Sequence, residues 1–142
     1  MKITVHFCKS ENLGGRILRL FLMSKWNHVA IQIGDAVYES VSGSGVIKRR
    51  PADFTKAWDK ISSVEVSVAE QLTLIRFLND QVGKPYDWKA ILAFPFRGTW
   101  QDRSGWFCSE LVYEALRVGG ASLSDRLPAN RVTPRDLWVA LP

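Results

Sequence analysis

The chain has 142 residues, 46% of them apolar and 23% charged, with a formal net charge of +5. That size and balance suit a single globular domain spanning 1–142 with a core of its own, and they exclude a disordered or low-complexity chain. No apolar run reaches the ~18 residues of a membrane span, and two cysteines a hundred positions apart exclude a disulfide framework.

Two free thiols fit a reducing compartment, and the first residues lack the pattern of a secretory signal, so a protein cytoplasmic as synthesised is expected, with its site of action open. Apart from Lys48-Arg49-Arg50 the basic residues are scattered, and no nucleic-acid motif is present. A solvated, mildly basic surface is the plain reading. A preference for an anionic partner (a cell-wall polymer, lipid headgroups or nucleic acid) is the alternative.

Residues 2–8 alternate, with Ile3, Val5 and Phe7 opposite Thr4, His6 and Cys8, which predicts a first strand with one buried face. Apolar residues from Leu13 to Leu22 predict a helix over about 11–24. It is apolar over much of its surface; core burial is the default for it, and a groove or partner contact is the alternative. Two strands, 28–33 and 37–41, join at a tight Gly34-Asp35 turn, and a third strand covers 45–49. Pro51 starts a short helix, and 63–68 alternates as another strand. A helix then runs to Gly83, followed by a turn at Lys84-Pro85 and a short helix over 88–94 that Asp87 caps. Residues 97–105 read as a polar, aromatic loop, and 122–132 as another loop. Thr133-Pro134 opens a final helix. Strands come mostly first and helices second, which predicts an α+β fold.

The stretch 104–119 carries the chemistry. A polar, glycine-containing run leads into a helical pattern with Cys108 in its first turn. Unpaired N–H groups and the helix dipole there favour a thiolate. A base would have to come from elsewhere. His6 shares a strand face with Cys8, but two residues do not make a metal site, so His6 is read as structural. His28 opens a strand, a rigid mount for a base, and Tyr38 or Glu39 on the next strand can hold its far ring nitrogen. Against this stands a plain alternative: Cys108 shares a helical face with Leu111, Val112 and Ala115, and a buried free cysteine often packs as a small hydrophobe.

Read together, the segments are more specific. Trp26-Asn27-His28-Val29-Ala30-Ile31, Val37-Tyr38-Glu39-Ser40, Gly45-Val46 and Phe107-Cys108-Ser109-Glu110-Leu111-Val112 resemble the permuted NlpC/P60 papain-like hydrolases, the group that includes YiiX-like and LRAT-like proteins. Gly83-Lys84-Pro85-Tyr86-Asp87-Trp88 is similar to the Gly-x-Pro-Tyr-x-Trp segment of ordinary NlpC/P60 enzymes. His precedes Cys, as in the permuted branch. Phe107 and Ser109-Glu110 depart from the Asp before and Ser-Gly after the cysteine of the ordinary branch.

The resemblance implies a papain-like antiparallel sheet packed against helices. It implies Cys108 as nucleophile, His28 as base and Glu39 in the third polar position. Tyr86 would line the site and polarise the substrate carbonyl, with Trp26 and Trp106 also at the substrate site. No cofactor and no metal are expected. The expected activity is a thiol hydrolase cleaving an amide, in a peptide or peptidoglycan fragment, through a thioester. The alternatives are an acyl-lipid hydrolase or acyltransferase, a deconjugase acting on another protein, and a binding or inhibitory protein on the same fold.

Overall fold

Five strands make one antiparallel sheet in a computed structural model that describes residues 1–89, 105–123 and 132–141. The strands are β1 (Lys2–Lys9), β2 (His28–Ile33), β3 (Ala36–Val41), β4 (Gly45–Arg49) and β5 (Lys60–Ser67). Their order is β4-β3-β2-β1-β5, so the fold is mixed α+β around an antiparallel sheet. β5 starts earlier than alternation alone suggests. The eight-residue β1 pairs with every residue from Lys60 to Ser67, and pairing sets the strand length.

Alternation sorts the sheet into two faces. Ile3, Val5, Phe7, Val29, Ile31, Ile33, Tyr38, Val46 and Val66 belong to the main core. Helices α3 (Gln71–Gln81), α4 (Cys108–Val118) and α5 (Pro134–Ala140) add Leu74, Leu78, Leu111, Leu116 and Leu137 to it. The other face carries a smaller cluster of Cys8, Ala30 and Val37, covered by Phe54 of α2 (Pro51–Thr55) and by Trp58. Strand parity puts His28 and Glu39 on this second face, near its end.

Helix α1 (Leu13–Leu22) is shorter than the predicted span. The Asn12 side chain accepts from the Gly15 N–H at 2.7 Å and starts it there; Met23, left-handed at φ 48°, ends it. Gly15 is needed where the helix meets the chain before it, since a Cβ would lie 2.4 Å from the Ser10 carbonyl oxygen. The helix does not follow the core-burial default. Leu22 is buried, but Leu13, Ile17 and Leu20 face outward.

The last helix begins as expected, with Thr133 and Asp136 capping each other's backbone N–H at 2.8 and 3.1 Å. The helix over 88–94 and the loops at 97–105 and 122–132 lie mostly outside the described residues, as do Trp100 and Ser104. Among the described residues, no helix is long and apolar enough to cross a membrane.

Candidate active site

Cys108 is the first residue of α4, with Phe107 in extended geometry just before it. Phe107 occupies the N-cap position. Glu110, in the first turn, turns back to accept from the Phe107 N–H at 3.4 Å. The start of α4 is held on both sides. The Ser109 hydroxyl donates to the Val132 carbonyl, and the Ser40 hydroxyl donates to the Trp106 carbonyl at 2.6 Å. The second bond ties the approach to α4 to the end of β3.

His28 is the first residue of β2 and is buried. Its Nε2 lies 2.7 Å from Glu39 Oε2, and the Cys108 side chain lies close enough to the ring to raise its pKa. Glu39 is fully buried and has a second partner, since Arg49 Nε donates to its Oε1. Residues from β4, β3 and β2 therefore form one bonded chain, Arg49, Glu39 and His28, with Cys108 of α4 beside the imidazole. Tyr38, the other candidate for holding His28, points to the opposite face and donates to Asn79 Oδ1 at 2.9 Å.

The electrostatics follow from these contacts. Burial works against the imidazolium, but bonding to Cys108 and Glu39 outweighs it and lifts His28 from 6.5 to about 9. Burial alone would raise the Glu39 carboxyl; its bonds to His28 and Arg49 reverse this and hold it below its usual value. At neutral pH a guanidinium, a carboxylate and an imidazolium thus alternate in charge, with the Cys108 sulfur beside the imidazolium. An imidazolium against the sulfur is the counter-ion and proton donor that a cysteine nucleophile uses.

A cavity of about 500 Å³ opens beside His28, walled by Gly14, Ile17 and Leu18 of α1 and by Trp58, Tyr86 and Trp88. Tyr86 is placed by the backbone. The Trp106 N–H donates to the Pro85 carbonyl at 3.0 Å, and the Asp87 N–H to the Trp106 carbonyl at 3.1 Å. Gly45, at φ 73°, lets β4 press on this turn, since a Cβ there would sit 2.2 Å from the Lys84 carbonyl oxygen. Burial, then the nearby negative charge at Cys108, push the Tyr86 phenol up, so it stays a hydrogen-bond donor. The Cys108 sulfur does not itself line the cavity. Cys108 is buried in an apolar cluster with Leu18, Leu22, Phe107 and Tyr86, and Leu18 and Tyr86 of that cluster also line the cavity.

Two expected site residues are elsewhere. Trp26 packs in the core against Phe7 and Trp138, with centroids 6.4 and 5.3 Å away. The chain bends between Trp26 and His28, so strand parity does not carry Trp26 to the His28 face. Trp106 donates its indole N–H to Gln81 Oε1 at 3.0 Å and packs on Phe77; it supports the Tyr86 turn and does not line the cavity. His6 is held by Ser63 and Gln32, each at 2.8 Å, in line with a structural role.

Two residues were not anticipated. Arg49 read only as part of a basic run, although alternation in β4 turns Lys48 and Arg49 to opposite faces and β3 pairs alongside. Trp58 stacks on the His28 ring at 4.4 Å and 12°. It sits between α2 and β5, where no periodicity signals a contact.

No protein-family model matches the chain, and no curated protein matches it.

Proposed function

We propose that this protein is a cysteine hydrolase of permuted papain-like type that cleaves an amide bond, in a peptide, isopeptide or cell-wall peptide, through a thioester. The observation that carries this reading is the placement of His28 between the Glu39 carboxylate and the Cys108 sulfur, at the wall of a cavity. The motifs around His28, Tyr86 and Cys108, in the order of the permuted branch, support it.

In this reading the Cys108 thiol gives its proton to His28, and the sulfur attacks the substrate carbonyl carbon. The Cys108 backbone N–H at the helix start and the Tyr86 hydroxyl hold the oxyanion. The C–N bond breaks as His28 passes its proton to the leaving amine. Water then gives a proton to His28 and attacks the thioester. The acid is released and the thiol is restored. Glu39 orients the imidazole and stabilises its charge throughout.

The test is alkylation of Cys108 with iodoacetamide across pH, together with a search for amine release from peptide and muropeptide mixtures. The reading expects labelling independent of pH between about 6 and 9, and slowed and made pH-dependent in His28→Ala. A thiol that titrates near ~8.5 overturns it.

A second reading, acyl transfer or hydrolysis on a lipid ester, is favoured by one observation. The cavity wall is largely apolar, formed by Ile17, Leu18, Trp58 and Trp88. Release of fatty acid from phospholipid, in place of an amine from peptides, would select it.

A further inference from the structure

Helix α1 presents its apolar side to solvent. Leu13 is 74% exposed, Leu20 78% and Met23 76%, and Ile17 between them is also exposed. The spacing 13, 17, 20 places these side chains on one stripe, opposite the buried Gly15 and Leu22. Trp88, 56% exposed, lines the same cavity as Gly14 and Ile17, so the apolar surface continues across the cavity mouth. Isolated exposed leucines need no explanation; a continuous stripe at the rim of a cavity does.

The charges around the stripe are positive. α1 contains Arg16 and Arg19 and no acid. Arg16 borders the stripe in the open, and Lys25 is exposed just beyond the helix. Two acids lie near the helix start: Asp59, which accepts from the Glu11 N–H at 2.7 Å, and Glu11, engaged by Lys9 at 2.8 Å and by Arg19 at 3.7 Å. The whole chain carries +5.

From this we infer that the outward face of α1, with Met23 and Trp88, docks on an anionic lipid surface. A lipid surface offers apolar depth and negative headgroups in one plane, and an amphipathic helix with flanking cations lies in that plane. A second copy of the chain fits less well. Like charges would meet across a two-fold contact, and a stable protein interface engages about 20–30 residues a side where this stripe offers five. Docking in this orientation brings the cavity mouth to the lipid surface. Leu18 and Leu22 of the same helix belong to the apolar cluster that holds Cys108, so the docked element also packs beside the candidate nucleophile.

The test is flotation of the full chain with vesicles of phosphatidylcholine containing a minority of phosphatidylglycerol, against phosphatidylcholine alone. The expected result is binding to the anionic vesicles that weakens with salt. It should fall at least about tenfold in Leu13→Glu/Leu20→Glu, both exposed positions where the fold is retained. Arg16→Glu, which leaves the leucines in place, should weaken binding to anionic vesicles alone. Cys108→Ala should bind as the parent does, so the outcome is independent of the hydrolase reading. The inference is overturned if the parent does not float, if the double variant floats equally well, or if the parent self-associates and the double variant does not.

Discussion

Cys8 and Cys108 are both buried free thiols, and both lie close to His28, yet their surroundings differ in every respect that matters for reactivity. Cys8 is directly opposite His28 in the β1–β2 register, in the apolar cluster with Ala30, Val37 and Phe54. Burial pushes its thiol up, and the charge on Glu39 adds to that, so it stays protonated and inert. Cys108 opens a helix and lies beside the imidazole, whose pKa it raises. The two histidines differ in parallel. His6 has the neutral partners Ser63 and Gln32, whereas His28 has a carboxylate that is itself braced by an arginine. Residue type is therefore a poor guide to chemistry in this chain, and the identity of the second and third neighbours is a good one.

The most severe test of this contrast is to delete each thiol in turn. Cys108→Ala should abolish alkylation at the site and reduce hydrolysis by about 10⁴-fold or more. Cys8→Ala should leave both intact and cost only about 1 kcal/mol of stability, read by denaturant melting. Loss of labelling in the Cys8 variant would break the contrast.

A smaller effect is expected at the partners of His28. Glu39→Gln should lower hydrolysis by about 10²–10⁴-fold. It should also bring the imidazole down from about 9, as followed by proton NMR. Arg49→Met, one contact further out, should shift the same resonance by about one unit, a tenfold effect, with Arg49→Lys restoring part of it. Folding raises the His28 pKa, so its charge contributes stability that is complete below 6.5 and lost as pH rises through about 9. In Glu39→Gln that alkaline loss should be smaller and should end at lower pH.

The smallest effect concerns the turn that presents Cys108. Burial, with Asp87 nearby, lifts Glu110 from 4.5 to about 7. The folded state therefore holds this proton more tightly, and Glu110 makes stability fall as pH rises from 4.5 to about 7. Glu110→Gln keeps an acceptor for the Phe107 N–H. It should gain on the order of 1–3 kcal/mol at about pH 8 and flatten that slope, as measured by thermal unfolding.

Much of this arrangement was legible in the residues. Alternation located β1 to β4 and the His28 face. Gly34, Pro51 and the Thr133-Pro134 pair marked turns and helix starts. The proximity of Glu39 to His28 followed from one short hairpin, because antiparallel pairing converts a turn position directly into neighbours. These features depend on local periods of two and 3.6 residues and on backbone constraints at Gly and Pro, which act within a few residues.

What the tertiary structure alone decided depends on contacts between segments far apart in the chain. It sent Trp26 into the core, because a bend before β2 cancels strand parity. It made Trp106 a brace for the Tyr86 turn through backbone hydrogen bonds, with its indole held by Gln81. It set Trp58 on the imidazole and Arg49 on the carboxylate, and it left the stripe of α1 facing outward. Periodicity establishes that a helix has an apolar side. Only the packing of the other elements establishes whether that side is already covered.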